Sequence, residues 1–353
     1  MRRLKIFALN GSREFGSRVA AALGKNLSRH KESRFHDGEV YCASEENVRG
    51  SDVYVIQSLY GDQEDTVNDK LMKLFVFIGS LHDASASKVT AVIPYYCYGR
   101  QDRKTSSRAP ITTKYVAHML QSVFTRRVLT IDAHNPGVLQ NSYSSAHFDN
   151  LEASGLLAKY VARELYPRAG IKHPGTITVL SPDEGRLKQS RKFRTCLQHM
   201  LNEPVGIACV DKIHDGEDIH SNGMIGSVSG KRVIILDDMI SSGKTIIEAA
   251  NEAKKHGAAC VLAVCATHGL FVGNANGNLD SNFIQNVVVT DTIDPFRITN
   301  HNVIEKLAVI DTSALFAEAI RRTHEGESIS DLIEKNGVPL SFKKLRACDL
   351  IPV

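Results

Sequence analysis

The chain has 353 residues, 42% hydrophobic and 23% charged, with a formal net charge of +4; this is ordinary globular composition and excludes a disordered or fibrous protein. The lysines and arginines form no long basic block, so nucleic-acid binding has little support and a small anionic substrate is the more economical partner. Seven cysteines at irregular spacing, without a Cys-x-x-Cys pair, fit neither a disulfide framework nor a zinc site and imply a reducing, cytoplasmic setting.

The N-terminal apolar run breaks after six residues, too short for a secretory signal, and reads as a first buried strand. LFVFIGSL, from Leu74, is far too short to cross a bilayer, so no membrane association is expected. Short Val- and Ile-rich runs recur along the chain: KIFAL, DVYVIQS, VTAVIPYY, RVLTIDAH, TITVLSP, RVIILDD, VLAVCATH and NVVVTDT. Continuous rather than alternating hydrophobicity predicts strands covered on both faces, as in parallel sheets. Between them lie helical patterns at Val67 to Ala84, Lys114 to Phe124, Gly155 to Tyr166 and Thr245 to His256. Alternating strands and helices give an α/β class. The polar stretch HFDNLEAS, His147 to Ser154, separates two similar halves and places one boundary there, with an N-terminal α/β domain over 1–149 and a C-terminal one over 150–353. Ligands in such sheets gather at the carboxyl ends of the strands, where polar clusters stand at 94–103, 132–134, 181–186, 237–245 and 291–292.

VIILDDMISSGKTI, Val233 to Ile246, ends like a nucleotide-binding P-loop, but Asp238 stands where a Walker loop needs its upstream glycine. Asp237 and Asp238 close an apolar run, and an adjacent pair there can simply cap a helix. The whole string suggests more. Ser241, Ser242, Gly243, Lys244 and Thr245 form a hydroxyl-rich turn whose amides suit a phosphate, and the carboxylates can accept hydrogen bonds from two vicinal hydroxyls. Phosphate plus diol describes ribose 5-phosphate.

DDMISSGKT aligns without a gap on the loop that in ribose-phosphate pyrophosphokinases usually reads Asp-Asp-Met-Ile-Asp-Thr-Gly-Gly-Thr. FHDGEV at 35–40, VIPYYCYGRQDR at 92–103, IDAHN at 131–135, SPDEG at 181–185, THGLF at 267–271 and AEAIRR at 317–322 are similar to other motifs of that family, in the same order. Nearly the whole chain thus resembles this family, the phosphoribosyl pyrophosphate synthetases, which implies a phosphoribosyltransferase-like fold: two similar domains, each a mostly parallel sheet flanked by helices.

The resemblance also implies roles. Phe35 would stack on adenine while Asp37 and Glu39 hold its polar edge; FHDGEV taken alone is equally a hairpin turn. In the family a neighbouring subunit contributes this element, so a homo-oligomer with a shared ATP site is expected. Arg100 and Gln101 would bind ATP, in a donor-rich patch suited to polyphosphate. His134 and Asp183 would touch magnesium, which takes few protein ligands. Lys212, in the polar, glycine-containing segment CVDKIHDGEDIHSNG that reads as a mobile lid, would act in catalysis with His214. The implied reaction transfers the diphosphoryl group of Mg-ATP to the anomeric hydroxyl of ribose 5-phosphate, releasing AMP.

Several positions depart from the family's usual residues. His214 replaces an arginine, Arg186 a glycine in SPDEGR, and Ser241-Ser242-Gly243-Lys244-Thr245 the usual Asp-Thr-Gly-Gly-Thr. Two alternatives therefore stay open: the same chemistry on a larger 5-substituted ribose such as ADP-ribose, and a non-catalytic regulatory homologue.

Overall fold

The computed structural model describes residues 2–170, 173, 175–215, 218–330, 332 and 338–345, with the side chains of 212–215 and 218–222 outside that description. The chain divides into two compact units, Met1–Glu152 with Ser313–Val338, and Ala153–Thr312 with Pro339–Val353.

Unit 1 is built on a parallel sheet of β1 (Leu4–Ala8), β4 (Asp52–Ile56), β5 (Lys88–Ile93), β6 (Arg127–Ile131) and β7 (His147–Leu151), in that spatial order. Helices α1 (Arg13–Ala22), α2 (Val67–Asp83), α3 (Thr112–Ser122) and α4 (Pro136–Ser142) connect the strands. The expected helix from Val67 forms because Thr66 and Asp69 make a reciprocal capping box at its start. Its apolar side, with Leu74, Phe77, Ile78 and Leu81, packs into the core with Phe7, Val55 and Ala91. An antiparallel hairpin, β2 (His30–Arg34) and β3 (Val40–Ser44), is tied to α2 by ion pairs of Lys73 with Glu32 (3.3 Å) and of Arg34 with Asp69 (3.3 Å).

Among the described residues, unit 2 carries eight strands in the order β10-β9-β8-β11-β12-β13-β14-β15. These are β8 (Ile177–Ser181), β9 (Gly206–Asp215), β10 (Asp218–Ile225), β11 (Arg232–Ile240), β12 (Cys260–Gly269), β13 (Val287–Thr290), β14 (Leu307–Ile310) and β15 (Phe342–Lys344). Its centre is parallel, while β10 and β15 pair antiparallel at the two edges. Its helices are α5 (Ser154–Tyr160), which continues through a π-helical stretch Val161–Leu165 into α6 (Tyr166–Arg168), then α7 (Leu187–Leu201), α8 (Lys244–Lys255), α9 (Ala275–Leu279) and α10 (His301–Lys306). Residues such as Val233, Ile235, Val261 and Val264 are fully buried, as expected for strands covered on both faces.

Two expectations are corrected. HFDNL, placed at the boundary between the halves, is a strand of unit 1: it forms β7, in parallel register with β6 from Arg127↔His147 to Ile131↔Leu151. A single boundary near residue 150 does not describe the division, because α11 (Ser313–Glu325) belongs to unit 1, where Phe316 meets Phe15 edge-on at 5.5 Å and Thr323 bonds Tyr54 at 2.9 Å. In the segment read as a lid, β9 and β10 run in antiparallel register, with Lys212 opposite Ser221. Among the described residues no helix is long and apolar enough to cross a membrane.

Candidate active site

In unit 2, β11 delivers Asp237 and Asp238 to the end of its apolar run, and the chain then turns through Ser241–Gly243 into α8. Gly243 has φ +74°, a left-handed conformation that favours glycine, and a Cβ there would stand 3.2 Å from Asn278. The turn is held from one side by backbone bonds of Phe271 N–H to the Ile240 carbonyl (3.1 Å) and of Val272 N–H to the Ser241 carbonyl (3.0 Å). Asn278 donates to the Ser242 carbonyl at 2.8 Å. Phe271 accepts φ +48° to make this approach, a cost of a kind often found near functional sites. The Ser242 hydroxyl accepts from the Lys244 N–H at 3.4 Å. The Lys244 side chain is 78% exposed, and its ammonium lies 3.9 Å from Glu248 on the next turn.

Arg186 enters this site from the loop between β8 and α7. Its Nε is 3.5 Å from Asp237 Oδ1 and its Nη2 3.0 Å from Asp238 Oδ2, with side-chain exposures of 9%, 11% and 7% for Arg186, Asp237 and Asp238. Burial first, then the adjacent Asp238 charge, pushes the Asp237 carboxyl well above the usual carboxylate range, and Arg186 draws it back only in part. Asp237 Oδ1 also accepts the Asp238 N–H at 2.8 Å.

Asp183 stands on the same loop as Arg186, its Oδ1 accepting the Arg186 N–H at 3.1 Å and so capping the short turn Glu184–Arg186. Lys212 and His214 run in β9, but their side chains lie outside the described residues.

Unit 1 gathers the other expected residues into two places. The first is the hairpin tip, where Phe35 N–H bonds the Glu39 carbonyl at 2.8 Å, Gly38 takes φ +98°, and Asp37 accepts the Glu39 N–H at 3.2 Å. FHDGEV is therefore a hairpin turn, and it leaves Phe35 57% exposed beside the exposed Asp37 and Glu39. The second joins two loops at the carboxyl ends of β5 and β6. Asn135 donates to Asp102 at 2.7 Å, and a Cβ on Gly99 would lie 3.7 Å from the His134 Cβ, which places Arg100 and Gln101 beside His134 in the fold. Thr112 bonds the Gln101 side chain, and the Thr113 hydroxyl holds the Tyr98 carbonyl at 2.8 Å. Tyr98 at φ +57° and Asp132 at φ +41° carry strained backbone in these same loops. Among the described residues no three His, Cys, Asp or Glu side chains cluster as a metal centre.

In the sequence Arg186 stands out only as a departure from the family's glycine. The signal available was a cation shortly after Asp183, at the end of a strand that neighbours β11. Asn278 had no signal, because a surface asparagine becomes a loop anchor only through the path of α9.

The family model described as the N-terminal domain of ribose phosphate pyrophosphokinase matches residues 4–123, and the phosphoribosyl synthetase-associated domain matches 213–334. Ribose-phosphate pyrophosphokinase 1 of Streptococcus pyogenes serotype M1 is 37% identical over 335 residues, covering 94% of this chain and 98% of the relative. Ribose-phosphate pyrophosphokinase of Caldanaerobacter subterraneus subsp. tengcongensis is 38% identical over 331 residues, 93% of this chain and 97% of the relative. The crystal structure of phosphoribosylpyrophosphate synthetase from Mycobacterium smegmatis covers 92% of this chain and 100% of its own, with a TM-score of 0.79 and 29% identity. With its fold, the order of its motifs and its full-length relatives in agreement, the chain belongs to the ribose-phosphate pyrophosphokinase family.

Proposed function

We propose that the chain transfers the diphosphoryl group of Mg-ATP to the anomeric hydroxyl of ribose 5-phosphate, giving phosphoribosyl pyrophosphate and AMP. The observation that carries this reading is the buried Asp237–Asp238 pair followed by the Ser241–Gly243 turn at the start of α8: acceptors for two hydroxyls and donors for a phosphate on one loop. The anomeric oxygen attacks the β-phosphorus in line, the bond from that phosphorus to the oxygen bridging the α-phosphorus breaks, and the hydroxyl proton is lost. The protein's part is positioning and charge. Asp237 and Asp238 take the vicinal hydroxyls, and Ser241, Ser242, Gly243 and Thr245 hold the 5-phosphate, with Lys244 contributing its backbone amide. Arg100 and Gln101 bind polyphosphate, and Phe35, Asp37 and Glu39 receive the adenine of a neighbouring subunit in a homo-oligomer. Lys212 and His214 supply positive charge to the leaving oxygens.

Magnesium ions are assigned separately to Asp183 in unit 2 and to His134 in unit 1. The ion keeps most of its water and takes one or two protein oxygens, so a single carboxylate such as Asp183 fits it without a three-residue cluster. His134, a nitrogen donor, suits a water of the ion's shell better than the ion. When bound, magnesium neutralises phosphate charge. A cytoplasmic, reducing location fits the free thiols of Cys42, Cys97, Cys209, Cys260 and Cys265.

AMP release from Mg-ATP, measured with ribose 5-phosphate, with ADP-ribose and with neither, tests the reading. Release should depend on ribose 5-phosphate, and Lys212→Ala should lower turnover by ~10²-fold or more while the KM for ATP stays nearly constant. Release with ADP-ribose alone reassigns the acceptor, and no release with either sugar makes the protein a binding homologue.

A further inference from the structure

A guanidinium offers two parallel N–H donors along its side edge, and these match two acceptors as a pair of vicinal hydroxyls does. In this protein that edge, Nε and Nη2 of Arg186, already faces Asp237 and Asp238 at 3.5 and 3.0 Å, in surroundings where all three side chains are about nine-tenths buried. A carboxylate oxygen turned to the guanidinium cannot at the same time take a sugar hydroxyl along the same direction. Arg186 sits on the loop between β8 and α7, anchored by its own N–H to Asp183, so the side chain can leave the pair without moving β11. Its φ of −98° is ordinary backbone, which leaves shorter residues free to stand there without strain.

We propose that Arg186 is a built-in competitor for the acceptor's vicinal hydroxyls: the guanidinium holds the Asp237–Asp238 pair until the sugar displaces it, and so sets the acceptor's affinity. The inference rests on the reading of that pair as the diol site. It makes Arg186 a specificity-determining position. Acceptor binding becomes an exchange of two donors for two donors, and affinity is reduced by the fraction of molecules in which the arginine holds the pair. It also disfavours sugars that lack one of the two hydroxyls, since these leave a carboxylate with one donor lost and none gained.

The experiment is equilibrium binding of ribose 5-phosphate to the full chain without ATP, at one fixed pH, for the parent, Arg186→Ala, Arg186→Gln and Asp238→Asn. Arg186→Ala and Arg186→Gln should each tighten binding by about tenfold. In turnover the gain should appear as a lower KM for ribose 5-phosphate, with the KM for ATP unmoved, a split that loss of a merely structural ion pair would not give. Unchanged or weaker binding in folded Arg186 variants overturns the proposal. So does failure of both to fold, because a displaceable competitor cannot be what holds the unit together. Ribose 5-phosphate affinity that is unaffected in Asp238→Asn overturns the diol site itself, whereas a normal loss there without a gain in the Arg186 variants overturns only the competitor.

Discussion

In the Asp237–Thr245 loop of unit 2 the two carboxylates are buried and the backbone is fixed from α9 and the Leu270–Val272 turn, whereas in the hairpin of unit 1 every residue from Arg34 to Glu39 is exposed. The difference follows from what each is proposed to recognise. Hydroxyls compete with water for hydrogen bonds, so a diol is gripped only by acceptors withdrawn from solvent, where each bond is stronger and each unpaired group costs more. An adenine ring offers a face that stacks on any exposed aromatic surface, so Phe35 needs a rigid hairpin beneath it and little else. One region depends on burial at a cost in desolvation, which is visible in the upward shift of Asp237; the other depends on presentation.

The largest effect that sharpens this contrast is Asp238→Asn. It removes an ionised acceptor and leaves Arg186 with a weaker partner in a buried site, where breaking such a pair costs ~3–5 kcal/mol. Activity with ribose 5-phosphate, as kcat/KM, should fall ~10²-fold or more, and the melting temperature should fall with it. Activity within threefold of the parent would remove the pair from acceptor recognition. Phe35→Ala should have the opposite signature. The KM for ATP should rise by an amount corresponding to ~1–3 kcal/mol, with no loss of thermal stability, because the ring is 57% exposed. A lower melting temperature with an unchanged KM would make the hairpin a packing element instead. The smallest effect belongs to Lys244→Ala. Its ammonium is in a solvent-exposed pair with Glu248, so the KM for ribose 5-phosphate should change by less than about threefold; a tenfold rise would show that the lysine turns onto the phosphate.

Much of this was legible in the chain itself. The helix expected from Val67 ends at Asp83, within a residue of its expected end, because Thr66 and Asp69 write its start and a wide apolar stripe writes its face. The loop proposed for the acceptor stood out in the sequence because adjacent aspartates, a glycine and hydroxyls stand within a few residues of one another. HFDNL did not: β7 lies at the end of its sheet with His147 exposed and only Leu151 fully buried, so it carries the composition of a linker although its backbone pairs with β6. The helix Ser313–Glu325 reads as a helix in either unit, and the ring of Phe15, far away in sequence, decides its place.

The sequence by itself determined the α/β class, the order of motifs and the identity of the residues proposed to touch hydroxyls, phosphate and base, since each depends on local pattern and side-chain chemistry. Only the tertiary structure decided that Arg186 lies across Asp237 and Asp238, and that Asn278 pins Ser242. Those relations depend on how the chain folds back on itself, and their strength comes from the water excluded when the strands and helices close around them.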